Sequence, residues 1–356
     1  MSELTLMKGN EALDEAAIIA GCKCFFGYPI TPQTEISAYL SKRMPKVGGV
    51  FLQAESEIAA INMIYGCAGS GIRCMTSSSS PGISLKTEGI SYIAGADLPC
   101  VIINVQRGGP GLGGIQPSQA DYWQVTHALG HGDFHALVFA PSTVQEMADT
   151  VQKAFDLADK YRMPAVILAD GLLGQMMEPV AFDEDAEIKL SDASDKPWAA
   201  TGHKNARKHN IINSLYLQAE ELEEKVRQRF ERYEEVKAKE TMAECYKTED
   251  AEIVVAAYGS TARLAKSAVE LARKEGIKAG VFRPITLWPY PVKEINEACK
   301  NAEKVLVTEM SMGQMVDDVK LALECRLPVE FVGRTGGVIP SPGEILNKIK
   351  EMGGDR

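Results

Sequence analysis

The feature that most constrains this chain is an alternation running from Leu6 to about Val180. Short apolar stretches, each closed by Gly, Ser, Pro or Asn, exchange with longer stretches of helical periodicity. Such a pattern predicts a parallel sheet covered on both faces, because parallel strands need crossover connections and the crossovers bury the sheet. Strands are expected at 24–28, 50–53, 72–76, 100–105, 137–140 and 165–169. They make a doubly wound α/β domain, to which residues 1–190 are assigned.

Between 191 and 250 the composition shifts to a charged connecting segment. Within it Leu222, Val226, Phe230 and Tyr233 recur at helical spacing, which predicts an amphipathic helix over 220–240. Glu221/Lys225 and Glu235/Lys239 stand one turn apart in the favourable order and suit a solvated face. A second, smaller α/β unit, 251–356, opens with Ile253-Val-Val-Ala-Ala-Tyr-Gly-Ser260. A helix to about Lys274 and strands near 279–282, 305–308 and 329–332 are expected to follow.

With 45% hydrophobic and 24% charged residues the chain is ordinary globular material. Its net charge of −10 argues against a nucleic-acid or anionic-membrane surface and points to a small substrate. Glu3, Lys8, Glu11 and Asp14 interrupt the start before the apolar core of a signal peptide could form, and no apolar run reaches the roughly 18 residues of a membrane span. A cytoplasmic location is expected. The eight cysteines lie scattered through expected strands and helices and read as reduced core residues. Cys22 and Cys24 are the only close pair, and joint coordination of one metal by them is not expected. No Cys-x-x-Cys occurs, so no iron–sulfur cluster is expected on this chain.

Two signals mislead. Gly109-Pro-Gly-Leu-Gly-Gly114 matches a dinucleotide fingerprint, but Pro110 lies in the turn and no helix opens directly behind the glycines, so a tightly turned active-site loop is the better reading. His127, His131 and His135 recur every four residues like metal ligands, yet Gly130 and Gly132 break any helix there.

Four loops at the carboxyl ends of expected strands, where open α/β sheets bind ligands, carry the chemistry. Tyr28-Pro-Ile-Thr-Pro32 has two prolines that stiffen it, and Thr31 also reads as the N-cap of a helix from Pro32 through Leu40. Gln53-Ala-Glu-Ser-Glu57 leads into an apolar stretch, 58–67, expected as a buried helix; taken alone, Glu57 is a carboxylate favoured by the helix dipole. Ser77-Ser-Ser-Ser-Pro-Gly82 gathers small hydroxyls on the same edge, as any polar turn would. Asn104-Val-Gln-Arg-Gly-Gly-Pro-Gly111 brings Arg107, a fixed fork for a carboxylate or one half of a structural ion pair.

Together these loops resemble the first domain of the 2-oxoacid:ferredoxin oxidoreductases, and Arg283-Pro-Ile-Thr-Leu-Trp-Pro289 extends the likeness into a transketolase-C-terminal-like second domain. The order of motifs is similar to alpha subunits of multi-subunit members. The Leu52-Gln-Ala-Glu-Ser-Glu57, Ser80-Pro-Gly-Ile-Ser-Leu-Lys86 and Gly109–Gln119 segments are most like the 2-oxoisovalerate type.

The resemblance implies a thiamine-diphosphate pyrimidine-type domain. In it Glu57 hydrogen-bonds N1′ of the aminopyrimidine and shares a proton with it. Pro29, Ile30, Thr31, Ser79 and Gly82 would contact the cofactor, and Thr31 and Arg107 the substrate's carbonyl and carboxylate region. The implied reaction is oxidative decarboxylation of a 2-oxoacid to acyl-CoA and carbon dioxide, with electrons passing to ferredoxin. The magnesium motif of such cofactors is Gly-Asp-Gly closed by asparagine; here only Asp170-Gly171 comes near, Ala169 precedes it, and 195–200 holds no asparagine. Magnesium, the thiamine diphosphate tail and [4Fe–4S] clusters are therefore expected in partners: a beta subunit, a gamma subunit and a ferredoxin-like cluster subunit. A 2-oxoglutarate or pyruvate enzyme of the same family remains an alternative. So does a non-catalytic assembly subunit, against which the intact Glu57 argues.

Overall fold

The computed structural model describes residues 4–182 and 188–354; Glu3 and the stretch 183–187, just before the expected first boundary, lie outside them. The main sheet has seven strands in the spatial order Thr286–Trp288, Leu137–Phe139, Pro164–Asp170, Cys100–Gln106, Cys74–Ser78, Cys24–Gly27 and Val50–Gln53. All are parallel except Thr286–Trp288, which runs antiparallel to Leu137–Phe139. Every residue of Cys74–Ser78, Cys100–Gln106 and Pro164–Asp170 is buried, as expected of parallel strands covered by helices on both sides. The chain winds from Cys24–Gly27 out to Val50–Gln53 and then returns to lay Cys74–Ser78 on the other side, so the winding reverses between the first and third of these. That reversal opens a crevice at their carboxyl ends.

The sheet contains all the strands expected between residues 24 and 169, with one shifted. The strand expected at 72–76 occupies Cys74–Ser78, because Gly71 takes a left-handed turn (φ +81°) and the Arg73 amide bonds Ser191 Oγ. Ser77 and Ser78 are therefore strand residues and not part of the turn. Periodicity did not reveal the antiparallel pair Leu4–Lys8 with Met177–Ala181. The stretch 58–67 forms the helix Glu57–Gly69, but it is not buried on every face: Ile58 is 52% exposed while Ala60, Ile61 and Ile64 are buried.

The second sheet has the order Val329–Gly333, Lys304–Glu309, Ile253–Ala256, Ala279–Pro284 and Ala243–Tyr246. Its last strand comes from within the expected linker and pairs antiparallel with Ala279–Pro284. The charged segment forms the helix Ala219–Lys239, with Tyr233 and Val236 buried and Leu222 exposed; the Glu235–Lys239 pair closes at 2.7 Å. Arg283, only 2% exposed, ties the two parts together by bonding both Glu146 and Glu244. Cys22, Cys74, Cys100 and Cys299 are core residues, whereas Cys245 and Cys325 are exposed. Cys22 precedes the strand that begins at Cys24. Among the described residues no helix is long and apolar enough to cross a membrane.

Candidate functional site

The four loops meet at the crevice. Tyr28–Pro32 is held from below: Pro32 carbonyl accepts bonds from Asn10 Nδ2 (3.0 Å) and Gln175 Nε2 (3.1 Å), and Ser77 Oγ donates to Gln33 Oε1 at 2.5 Å. Because these side chains fix the turn through Pro32, the helix begins only at Thr34, with Gln33 as its cap. Thr31 is thus not an N-cap and Pro32 not the first helical residue. Thr31 and Pro29 are exposed, and Ile30 is half-buried.

Glu57 is the first residue of its helix, behind the cap Ser56, whose Oγ accepts from Ala59 N. Glu57 is 7% exposed, and its carboxylate lies against Gly82 at the start of the helix Pro81–Gly95. A Cβ on Gly82 would fall 2.0 Å from Ser78 Oγ and 2.7 Å from Glu57 Oε1, so only a glycine lets both groups approach the helix backbone. Ser78 Oγ and Ser79 Oγ are buried and have no hydrogen-bond partner.

Arg107 donates from Nη1 to the Thr31 carbonyl (2.9 Å) and from Nη2 to the Leu112 carbonyl (3.3 Å), while Nε is buried without a partner. No ion pair to a carboxylate forms among the described residues, so the structural ion pair is not what holds it. Its guanidinium instead joins the first loop to the fourth. The glycine loop is tightly turned, with Gly111 and Gly113 at φ +73° and +57° and Gly114 N bonded to Gly108 O. Leu112 and Ile115 project from it, 84% and 58% exposed.

Sequence reasoning missed two site residues. Asp121 Oδ2 accepts from Ser80 Oγ (2.6 Å) and Asn104 Nδ2 (3.0 Å), and Arg107 N donates to Ser80 Oγ. Burial pushes the Asp121 carboxyl up, opposed by these bonds and by the Arg107 charge. This network holds Ser80 at φ 30°, a strained value for a serine, directly before Pro81. The other residue is Lys86, fully buried, whose Nζ donates to Thr76 Oγ1 at 2.8 Å. Burial lowers its ammonium to about 8, against the pull of Glu57. Its spacing of four from Gly82 on an otherwise apolar face was the available signal.

The other candidates do not join the site. His127 lies 3.5 Å from Asp318, and His135 stacks on Trp288 with burial pushing it down to about 4. Asp170 caps the short helix Gly171–Gln175 and accepts from Ser260 Oγ, so both carboxylate oxygens are engaged.

Residues 15–245 match the family of the pyruvate flavodoxin/ferredoxin oxidoreductase thiamine-diphosphate-binding domain, and 251–345 match pyruvate:ferredoxin oxidoreductase core domain II. The chain belongs to the 2-oxoacid:ferredoxin oxidoreductase family, as one subunit of such an enzyme. It is 50% identical over 350 residues, 98% of each chain, to the ketoisovalerate oxidoreductase subunit VorB of Methanothermobacter thermautotrophicus. Identity to the 2-oxoglutarate synthase subunit KorA of Methanothermobacter marburgensis is 35%, over 99% of this chain and all of that one. The solved 2-oxoglutarate:ferredoxin oxidoreductase of Magnetococcus marinus superposes with a TM-score of 0.84 at 27% identity, covering 98% of this chain and 65% of that one. A split-gene transketolase (TM-score 0.62, 16% identity, 97% of each chain) shares the fold.

Proposed function

We propose that this chain is the pyrimidine-side subunit of an enzyme converting 3-methyl-2-oxobutanoate and coenzyme A to the branched acyl-CoA and carbon dioxide, with ferredoxin as electron acceptor. The observation that carries the mechanistic part is the Glu57 carboxylate seated on Gly82 beside hydroxyls that have no partner. The substrate rests on the higher identity to the ketoisovalerate subunits than to the 2-oxoglutarate ones.

The residues fit the aminopyrimidine half of thiamine diphosphate. Glu57 offers a nearly dry carboxyl group, the Ser78 and Ser79 hydroxyls are unpaired, and Gly82 leaves room for close approach. Thiamine diphosphate, when bound, supplies the nucleophilic carbon and the electron sink. Glu57 would hold and return a proton at N1′, and Pro29, Ile30 and the Ser79–Gly82 turn are the residues that would hold the ring. Arg107, whose Nε has no protein partner, and the exposed Thr31 would take the substrate's carboxylate and carbonyl end. With Asp170 engaged, magnesium and the diphosphate fall to a beta subunit, and the [4Fe–4S] clusters to gamma and ferredoxin-like subunits.

The test is turnover of the reconstituted complex on a panel of 2-oxoacids with a viologen acceptor. The highest kcat/KM is expected for 3-methyl-2-oxobutanoate. A preference for 2-oxoglutarate or pyruvate overturns the substrate assignment, and an assembled complex that turns over none of them makes this an assembly subunit.

A further inference from the structure

Ser80 stands where the third and fourth loops of the crevice touch, with its backbone at a strained φ of 30°. Three hydrogen bonds hold it there. Its amide donates to Asn104 Oδ1 (3.2 Å), its hydroxyl donates to Asp121 Oδ2 (2.6 Å), and its Oγ accepts the Arg107 amide (3.1 Å). Asn104 Nδ2 donates to the same Asp121 oxygen at 3.0 Å. One carboxylate oxygen thus fixes two polarities. By taking the hydroxyl proton it leaves a lone pair of Ser80 Oγ for the Arg107 amide, and by taking the Asn104 NH2 group it turns Oδ1 toward Ser80 N. Asp121 is itself anchored, because its own amide donates to Gln106 Oε1 (3.1 Å) at the end of the strand Cys100–Gln106, and Gln106 Nε2 donates to the Ala169 carbonyl (3.2 Å).

The consequences reach both halves of the crevice. Arg107, whose amide ends on Ser80, carries the guanidinium that clamps the Thr31 and Leu112 carbonyls. Two residues beyond Ser80 is Gly82, where a Cβ would fall 2.7 Å from Glu57 Oε1. Without the carboxylate, the remaining acceptor for the hydroxyl is the Arg107 carbonyl at 3.2 Å, and Asn104 Nδ2 has none among the described residues.

We propose that Asp121 is a positioning residue for the site: it directs the proton of Ser80 and the amide of Asn104, and through them spaces Arg107 from the Gly82 seat of Glu57. The inference rests on the reading of Glu57 and Arg107 given under Proposed function. A carboxylate suits the place because it only accepts, so neither bond can reverse.

Two measurements test this. The first is amide hydrogen exchange on the full chain without cofactor. Asp121→Ala should speed exchange at the Ser80 and Arg107 amides by about ten-fold, the size of one lost hydrogen bond. The remote helix Ala219–Lys239 should keep the parent's rates. Asp121→Asn, whose amide oxygen can replace Oδ2, should recover most of the protection. Parental protection in Asp121→Ala overturns the proposal.

The second compares assembled complexes, at equal cofactor occupancy and below their melting temperatures, by KM for the 2-oxoacid and by deuterium exchange at the thiazolium C2. Asp121→Ala should raise KM and slow C2 exchange by about ten-fold each, inside the roughly 10²-fold cost of a 1 Å misplacement. Asp121→Asn should recover most of both. Ser80→Ala should show the pattern of Asp121→Ala, and the double variant should be no worse than either, because all three remove one strut. A residue that only stabilises the fold would lower the melting temperature and leave KM and C2 exchange at parental values; that outcome overturns the proposal, as do additive losses in the double variant. If Asp121→Ala does not assemble, parental KM and C2 exchange in Ser80→Ala have the same force. Glu57→Gln in the same assay keeps the two readings apart: normal exchange there overturns the role of Glu57, and KM with amide protection then decides on Asp121 by itself.

Discussion

Both parallel sheets end in polar loops at their carboxyl edges, but those loops spend their polar groups differently. On the first edge Ser78 Oγ, Ser79 Oγ and Arg107 Nε are buried and unpaired around Glu57. On the second, Glu309 accepts the backbone amides of Gln314, Met315 and Val316 and the hydroxyl of Ser311. Gln119 reaches across from the first part to Tyr258 O, Thr261 Oγ1 and Met310 N, and Ser260 bonds Asp170. The Thr308 hydroxyl and the buried Tyr290 hydroxyl, a neighbour of Glu309, are left without a partner there among the described residues. Topology marks both edges as ligand sites. The second edge spends most of its polar groups on contacts between the two parts of the chain, whereas the first keeps Ser78, Ser79 and Arg107 Nε without protein partners.

The contrast can be broken most sharply at Glu57. In the assembled complex Glu57→Gln, nearly identical in shape, should slow thiazolium C2 exchange by about 10²–10⁴-fold at equal cofactor occupancy; a near-normal rate would return Glu57 to a structural role. Arg107→Ala should raise KM for the 2-oxoacid more than it weakens cofactor binding, since a charge-assisted contact is worth roughly 1.5–3 kcal/mol. An unchanged KM makes Arg107 solely a clamp between loops. On the second edge, Glu309→Ala should lower the melting temperature by leaving buried amides unpaired, each at a cost of about 1–3 kcal/mol. Below that temperature C2 exchange in the complex should be normal, and a slowed exchange would mean that the two edges are not distinct. On the first edge, Gly82→Ala should cost less exchange than Glu57→Gln. The added Cβ displaces only the ends of the Ser78 and Glu57 side chains, so the chain should fold while exchange falls by less than the roughly 10²-fold cost of a 1 Å misplacement. A loss as large as that of Glu57→Gln would show that the fit on Gly82 governs the whole contribution.

Much of this edge was legible beforehand because strand, turn and helix follow one another within a few residues there. Glu57, Gly82, Thr31 and Arg107 all come from such junctions, and the structure brings them into one crevice. What escaped depends on contacts between distant segments. The start of the helix Thr34–Arg43 is decided by Asn10 and Gln175, which local signals at Thr31 and Pro32 do not contain. Asp121 lies in a stretch without regular pattern and is recruited by Ser80 and Asn104. Lys86 was hidden by its charge, which reads as surface. The helix Glu57–Gly69 looked buried on every face because its residues are mostly apolar, yet Ile58, Asn62 and Gly66 recur every four residues on an exposed side.

The strand Thr286–Trp288 bears on how the gene could be divided. It lies far along the chain yet completes the first sheet by covering Leu137–Phe139, all three residues of which are fully buried. A fragment ending at residue 250 would contain all four loops of the crevice and still expose that apolar strand as an open edge. Such an edge invites pairing with a second molecule, so a fragment of this kind is expected to aggregate on expression even though its sequence looks self-sufficient.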